Sequence, residues 1–425
     1  MKKAILIVCI LIFSFKSYAV DIRYLLDALK KQPITKINSL MVKQAEIGYK
    51  KSTDNFYPSI SGSASWVHYN SPTNLRPATP TENSRIGATS GSYPFSRNIK
   101  QIGVEVKVPL LVFPLFEISK KALELKRSAS KKEKLEFIRN EATVVVLNAE
   151  LEYLDKLKEA LISEIGRLKK QRDILKVAAK NGKVAPISVF KIESVINSLK
   201  IKIDDIETSK NRVLSAMYTL TGVELRKAAN MELIQNPKGS DFLPIKPIRH
   251  QLEAKRYAVK AKEAELLPKI YLSGNIYRKF GRSYNTNDPV IRNYGSIGVF
   301  LSIPIFNKPL YSDIELAKSD YVKTKFELQQ KLRELKSESK ELKKDLAVVN
   351  RSIQLAFKDV EYKKRLLEYA EVAFKVGRMT EEDYLKYVSD LLTAKANLYK
   401  LKMKKWEVIT KLAVIFGNDL KELVR

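Results

Sequence analysis

An internal duplication constrains this 425-residue chain more than any other feature. Ile102-Gly103-Val104 with Pro109 returns as Ile297-Gly298-Val299 with Pro304, and Val177-Ala178 with Lys180 and Gly182 returns as Val372-Ala373 with Lys375 and Gly377. Thr221-Gly222 is answered by Phe416-Gly417, and all three matches share one spacing of 195 residues. Gly and Pro are each only about 5–7% of average composition, so a shared spacing for one Pro and two Gly marks a repeat. Pro58 with Ile60 matches Pro268 with Ile270 at a spacing of 210, which gives the first copy 15 extra residues between Pro58 and Pro109. The copies are expected at 20–235 and 248–425. Between them, 236–247 reads as a linker built on Asn236-Pro237-Lys238-Gly239-Ser240 with Pro244 and Pro247.

The chain opens on a secretory signal, expected over 1–19: Lys2 and Lys3, an apolar run from Ala4 to Phe15, then Ser17-Tyr18-Ala19. The single cysteine, Cys9, lies inside it, so the mature chain is expected to hold no disulfide. No later apolar run reaches the roughly 18–20 residues of a spanning helix, so any membrane crossing has to use strands. The formal charge of +30 falls to +27 without Lys2, Lys3 and Lys16. Its lysines are spread along the helical segments with no Arg-aromatic cluster and no basic tail, which argues against nucleic acid. They suit a solvated helix surface, or else a basic water-filled interior or a surface facing acidic lipid.

Each copy pairs two alternating segments with two very long helices. The strands are expected at about 57–69, 99–109, 268–280 and 294–304. Ile60, Gly62, Ala64 and Trp66 share one face and Ile102, Val104, Val106 and Val108 another, as do Ile270, Leu272, Gly274, Ile276 and Ile297, Val299, Leu301, Ile303. A lone hairpin is marginal in water, and four strands fall short of the about eight that close a spanning barrel, so several chains have to pool theirs. Trp66 and Tyr69 suit a membrane-interface girdle, with a core aromatic as the plainer alternative for Trp66. Residues 115–181 hold no proline and one glycine, and 310–376 hold neither. About 67 helical residues reach roughly 100 Å. Leu147, Leu154, Leu161, Leu168 and Leu175 recur every seven residues, and Leu342 to Phe374 follows 4-3 spacing with Lys363 the polar exception, both coiled-coil seams. The helical hairpins are expected to turn near Gly182 and Gly377. An opening helix is expected over 20–55, and Pro58, Pro109, Pro268 and Pro304 mark the joints of strand and helix.

Catalytic chemistry is missing from the sequence. Two histidines, His68 and His250, stand far apart with no mature cysteine, so neither a metal site nor a cofactor is expected. There is no phosphate-cradling glycine loop and no nucleophile elbow. Asp204-Asp205 and Glu381-Glu382-Asp383 read first as solvated charge.

Signal, duplicated halves and joint prolines together resemble the TolC-like outer membrane efflux proteins. Pro109-Leu110-Leu111 with Phe113 and Pro304-Ile305-Phe306-Asn307 look like the family's strand-to-helix element. Gly182-Lys183-Val184-Ala185 and Val376-Gly377-Arg378 look like its hairpin turns. The resemblance implies a mainly α fold with a membrane β-barrel, four strands per chain, in a homotrimer whose barrel continues into an α-helical tunnel. It implies no enzyme but the exit duct of a tripartite efflux system in the outer membrane of a Gram-negative bacterium, surrounded by its lipid. The partners would be a periplasmic adaptor (membrane fusion) protein and an inner-membrane transporter. Adaptor docking would fall on the tips, at Gly182, Val184, Ala185, Gly377 and Arg378.

The family narrows its tunnel with aspartates just after the second tip glycine. Asp383 takes the first such position and Lys386 stands at the second, so the resemblance implies a periplasmic gate whose cation preference Lys386 weakens. Plain surface charge is the alternative for both residues. Two rivals remain at this level: the duct of a type I protein secretion system, and a periplasmic coiled-coil structural protein whose strands are a soluble core.

Overall fold

The computed structural model describes residues 21–88 and 91–425, and the signal expected at 1–19 lies outside the described residues. The elements run α1 (Ile22–Lys30), α2 (Pro33–Asp54), β1 (Ser59–Asn74), α3 (Pro80–Ala88), β2 (Phe95–Val112), α4 (Phe113–Lys180) and α5 (Ile187–Thr221). They continue as α6 (Ile245–Ala264), β3 (Lys269–Arg282), β4 (Pro289–Ser302), α7 (Lys308–Lys375), α8 (Glu381–Phe416) and α9 (Leu420–Leu423). The duplication governs this order. α4 and α7 are each 68 residues long and start and stop 195 residues apart. All four positive-φ glycines fall into two pairs at that same spacing, Gly182 with Gly377 and Gly222 with Gly417. Each lets the backbone leave a helix through the left-handed region, which a Cβ disfavours by roughly 1–2 kcal/mol.

Two compact units emerge, and each repeat contributes to both: one holds the residues up to Ser39, Lys132–Pro244 and Leu332–Arg425, the other Leu40–Lys131 and Ile245–Lys331. The first unit is helical. Leu154, Leu161, Leu168 and Leu175 of α4 pack with Ile192, Ile196 and Leu199 of α5, Leu367 and Ala370 of α7, and Tyr384, Val388 and Leu391 of α8. Along α7 the seam positions Leu342, Val349, Leu367 and Ala370 are buried, while Lys343, Val348, Leu355 and Phe357 between them are exposed. The polar exception Lys363 reaches Asp390 of α8 at 2.9 Å. A second core gathers Ile22, Leu25, Leu26 and Leu29 of α1 with Val144, Val145, Met217, Ala413 and the C-terminal Leu420, Leu423 and Val424.

The other unit holds a four-stranded antiparallel meander, ordered β1-β2-β3-β4. The duplication extends to its register. Ile60 pairs with Val106, and the residues 210 and 195 further on, Ile270 and Leu301, pair with each other. Pro58 and Pro268 directly precede β1 and β3, and Pro304 follows β4. Pro109 differs: it lies inside β2, where the register with β3 slips between Pro109 and Leu111. A missing N–H suits such an irregularity.

Two further departures have local causes. The opening helix breaks between α1 and α2, because Lys31 N–H closes α1 on Ala28 O, Gln32 N–H on Leu29 O, and Pro33 fits the first position of α2. Gln32 between them donates to Thr221 O at 2.6 Å, a long-range bond that local periodicity does not announce. β1 runs on to Asn74 and a short helix, α3, stands in the loop before β2.

Candidate functional site

The sheet presents two chemically opposite faces. Cross-strand rows on one face read Ile60–Val106–Gly274–Ile297 and Gly62–Val104–Ile276–Gly295. The other face reads Ser61–Glu105–Asn275–Ser296 and Ser65–Gln101–Lys279–Arg292. In an ordinary soluble core the first face would be covered. Here Ile297 is 78% exposed, Ile60 72% and Ile276 71%. The soluble-core account of the strands requires the reverse. Trp66 stands on the apolar face, 67% exposed, in a row with Lys100, Phe280 and Ile291. Tyr69 lies beyond His68↔Asn98, after which the β1–β2 register shifts. On the polar face the ring of Tyr277 lies over Gly103, whose Cβ would come within 2.1 Å of a ring carbon. Among the described residues no helix is long and apolar enough to cross a membrane.

Both helical hairpins turn by the same device. Gly182 N–H donates to Ala179 O at 3.0 Å and Lys183 N–H to Ala178 O at 2.9 Å; Gly377 N–H donates to Phe374 O at 3.1 Å and Arg378 N–H to Ala373 O at 2.9 Å. Gly182, Ala185, Gly377 and Arg378 are exposed, while Val184 is half-buried against the helical core. Met379, 195 residues after Val184, packs in the same way. The sequence reading passed over Met379, although the repeat spacing points to it.

Asp383 sits in the first turn of α8. Thr380 caps this helix, accepting from Asp383 N–H at 3.1 Å and donating its hydroxyl to the Asp383 carboxylate at 2.6 Å. The motif Thr380-Glu381-Glu382-Asp383 is a capping box with Asp in the acidic place, a signal that was legible in the sequence and was read only as charge. Asp383 and Lys386 are both exposed, three residues apart on α8. Glu381 beside them is buried, and desolvation raises its carboxyl pKa against the pull of the Ser188 hydroxyl and Lys191.

Deeper among the helices lies a polar cluster that the periodicity did not announce. Tyr384 is fully buried, its ring stacked 5.1 Å from Phe374, and neither its hydroxyl nor Glu164 Oε1 has a hydrogen-bond partner. Burial, reinforced by Glu164, pushes the Tyr384 hydroxyl up to about 12, and burial also raises Glu164 and lowers Lys395. No group of three or more potential metal-ligating acids or histidines occurs among the described residues.

Residues 244–418 match the model of the family described as Outer membrane efflux protein. No curated protein matches the sequence. Solved structures resemble the whole chain. The outer membrane protein VceC from Vibrio cholerae superposes with a TM-score of 0.76 at 15% identity, over 93% of this chain and 96% of its own. The Campylobacter jejuni CmeC outer membrane channel gives 0.76 at 18% identity, over 93% and 84%. The open state of the Neisseria gonorrhoeae MtrE outer membrane channel gives 0.74 at 14% identity, over 93% and 88%. At these identities the likeness establishes the fold alone. Residues 244–418 thus carry the signature of the outer membrane efflux protein family, and the chain shares the fold of these outer membrane channels over more than nine-tenths of its length.

Proposed function

We propose that three copies of this chain pool their sheets into one twelve-stranded barrel, and that barrel and helices form the exit duct of a tripartite efflux system. An inner-membrane transporter would drive it through a periplasmic adaptor. The observation that carries this reading is the sheet itself: β1 and β4 each pair on one side only, and the face they share is apolar and bare. An open edge leaves ladder N–H and C=O groups unpaired, and in hydrocarbon each costs several kcal/mol. A spanning sheet therefore has to close, and three chains supply twelve strands. The apolar face would meet lipid, with Trp66 and Tyr69 at its boundary, and the polar face would line the lumen. VceC, CmeC and MtrE are named outer membrane proteins or channels, which supports the same placement.

In this reading the turns at Gly182, Val184, Ala185, Gly377 and Arg378 receive the adaptor, and Asp383 with Lys386 rings the periplasmic entrance. Three-fold repetition would concentrate each charge in a narrow, poorly screened space. Pro58, Pro268 and Pro304 would mark where barrel and helix meet, and Pro109 the slip inside β2 just before α4. The chain supplies a path and a gate, and partners supply energy.

The test is conductance of the detergent-purified mature protein in a planar lipid bilayer, with selectivity from the reversal potential. Discrete steps from a trimer are expected. Protein that stays monomeric and soluble without detergent, and forms no channels, would overturn the duct.

A further inference from the structure

Closing a barrel would use the edges of β1 and β4 and leave the apolar face of the sheet free, so on the barrel reading that face remains against the membrane. It is not uniform. Where Gly274 and Gly295 replace side chains, a groove of about 490 Å³ opens among Val104, Val106, Ile276 and Ile297. Packing does not demand the glycine at 274, since an added Cβ would meet its nearest neighbours only at 3.8 and 4.0 Å. The groove holds room that a larger side chain would fill.

Toward the loop end of the sheet, away from Phe113 where β2 enters α4, the same face turns cationic. Ile102 pairs with Arg278, and the next row pairs Lys100 with Phe280. The remaining residues of these two rows are Ala64 and Trp66 on β1 and Asn293 and Ile291 on β4, so no carboxylate shares them. Lys100 and Arg278 are exposed, Arg278 lies 5.6 Å from the Phe280 ring centre, and among the described residues neither forms an ion pair. A cation on a lipid-facing wall is costly unless its head reaches a polar partner, and lipid phosphates lie where such heads snorkel. Aromatic side chains beside them fit the same depth.

We propose that the groove and the Lys100–Arg278 pair bind one phosphate-bearing membrane lipid, its acyl chain along the Gly274–Gly295 floor and its phosphate between the two cations. The site rests on the barrel reading but assigns a ligand that this reading does not require. The test uses the full mature protein, delipidated in detergent, mixed in turn with diphosphoryl lipid A and with zwitterionic phosphatidylcholine, and weighed by native mass spectrometry. Wild type should retain lipid A at least fivefold better than phosphatidylcholine. Lys100→Gln with Arg278→Gln should lose that preference. Gly274→Leu, which fills the floor, should cut lipid A retention severalfold. All variants should conduct as wild type does. Equal retention of both lipids by wild type, or unchanged retention in the double variant, overturns the site while conducting channels leave the barrel standing. Absence of channels from wild type overturns the barrel and the site with it.

Discussion

Glu141 is fully buried in the helical unit, where Oε2 accepts from Leu420 N–H at 3.2 Å and Oε1 has no partner. Burial, with the Asp419 carboxylate nearby, pushes its pKa from 4.5 up to about 8, against the opposing Leu420 bond. The folded chain therefore holds a proton there that the unfolded chain releases at lower pH. The stability this contributes is fully present below about pH 4.5 and is lost as pH rises through about 8. At about 1.4 kcal/mol per unit, the loss is bounded at roughly 5 kcal/mol. Glu141→Gln should keep the acceptor for Leu420 and flatten this dependence, melting higher than wild type at pH 8.5 and alike at pH 4.5. Equal melting curves at both pH values would refute the assignment. Asp383 carries a second residue-level expectation. Asp383→Asn keeps an acceptor for the Thr380 hydroxyl and removes the charge, so the trimer should stay intact while block by divalent cations weakens severalfold in bilayer recordings. Lys386→Ala should strengthen it. Unchanged block in both variants rejects the gate and leaves Asp383 as a helix cap.

At the scale of elements, strand parity decides which substitutions hurt. Ile297 and Ser296 are adjacent on β4 and point to opposite faces. Ile297→Arg should destabilise the assembled barrel by about 2–4 kcal/mol if it lies near mid-membrane, and Ser296→Arg by far less. Urea titration of protein folded in vesicles separates them, and equal shifts would place both residues in water. Parity of this kind was legible in the sequence, because alternation in Ile102, Val104, Val106 and Val108 needs only neighbouring residues. The helical seams were legible for the same reason, and with them the fold class. The break at Gln32 had a local mark in Pro33, but the bond of the Gln32 side chain to Thr221, 189 residues away, had none. Nor was the slip at Pro109 legible, since it depends on how β3 approaches β2. At the tips, the turn glycines stand out by type and spacing. The burial of Glu381, Glu164 and Tyr384 is set by helices that meet only in three dimensions, so Glu381 read first as solvated charge and the other two drew no reading.

Taken as a whole molecule, the chain divides its labour between a helical unit with its own apolar core and a sheet unit whose apolar face has none. On the barrel reading, lipid and other copies of the chain would cover what the second leaves bare. The shared register of the two hairpins says how those copies should meet. β1–β2 and β3–β4 pair alike, so the chain is two near-equivalent hairpins laid side by side through the β2–β3 seam. If three chains close a ring, the seam between neighbours faces the same geometric task as the seam within each chain. Carrying the β2–β3 pairing forward by 195 residues on one strand and back by 210 on the other sets Leu301 of β4 opposite Ala64 of the neighbouring β1. Both belong to the apolar face. Ala64→Cys with Leu301→Cys should then give interchain disulfides that lock trimers on a denaturing gel. The pairing of Ala64→Cys with Ile297→Cys, four residues off register, should not. A ring built this way would have six hairpins in near six-fold order, so the boundary between one polypeptide and the next would be marked by covalent connectivity alone.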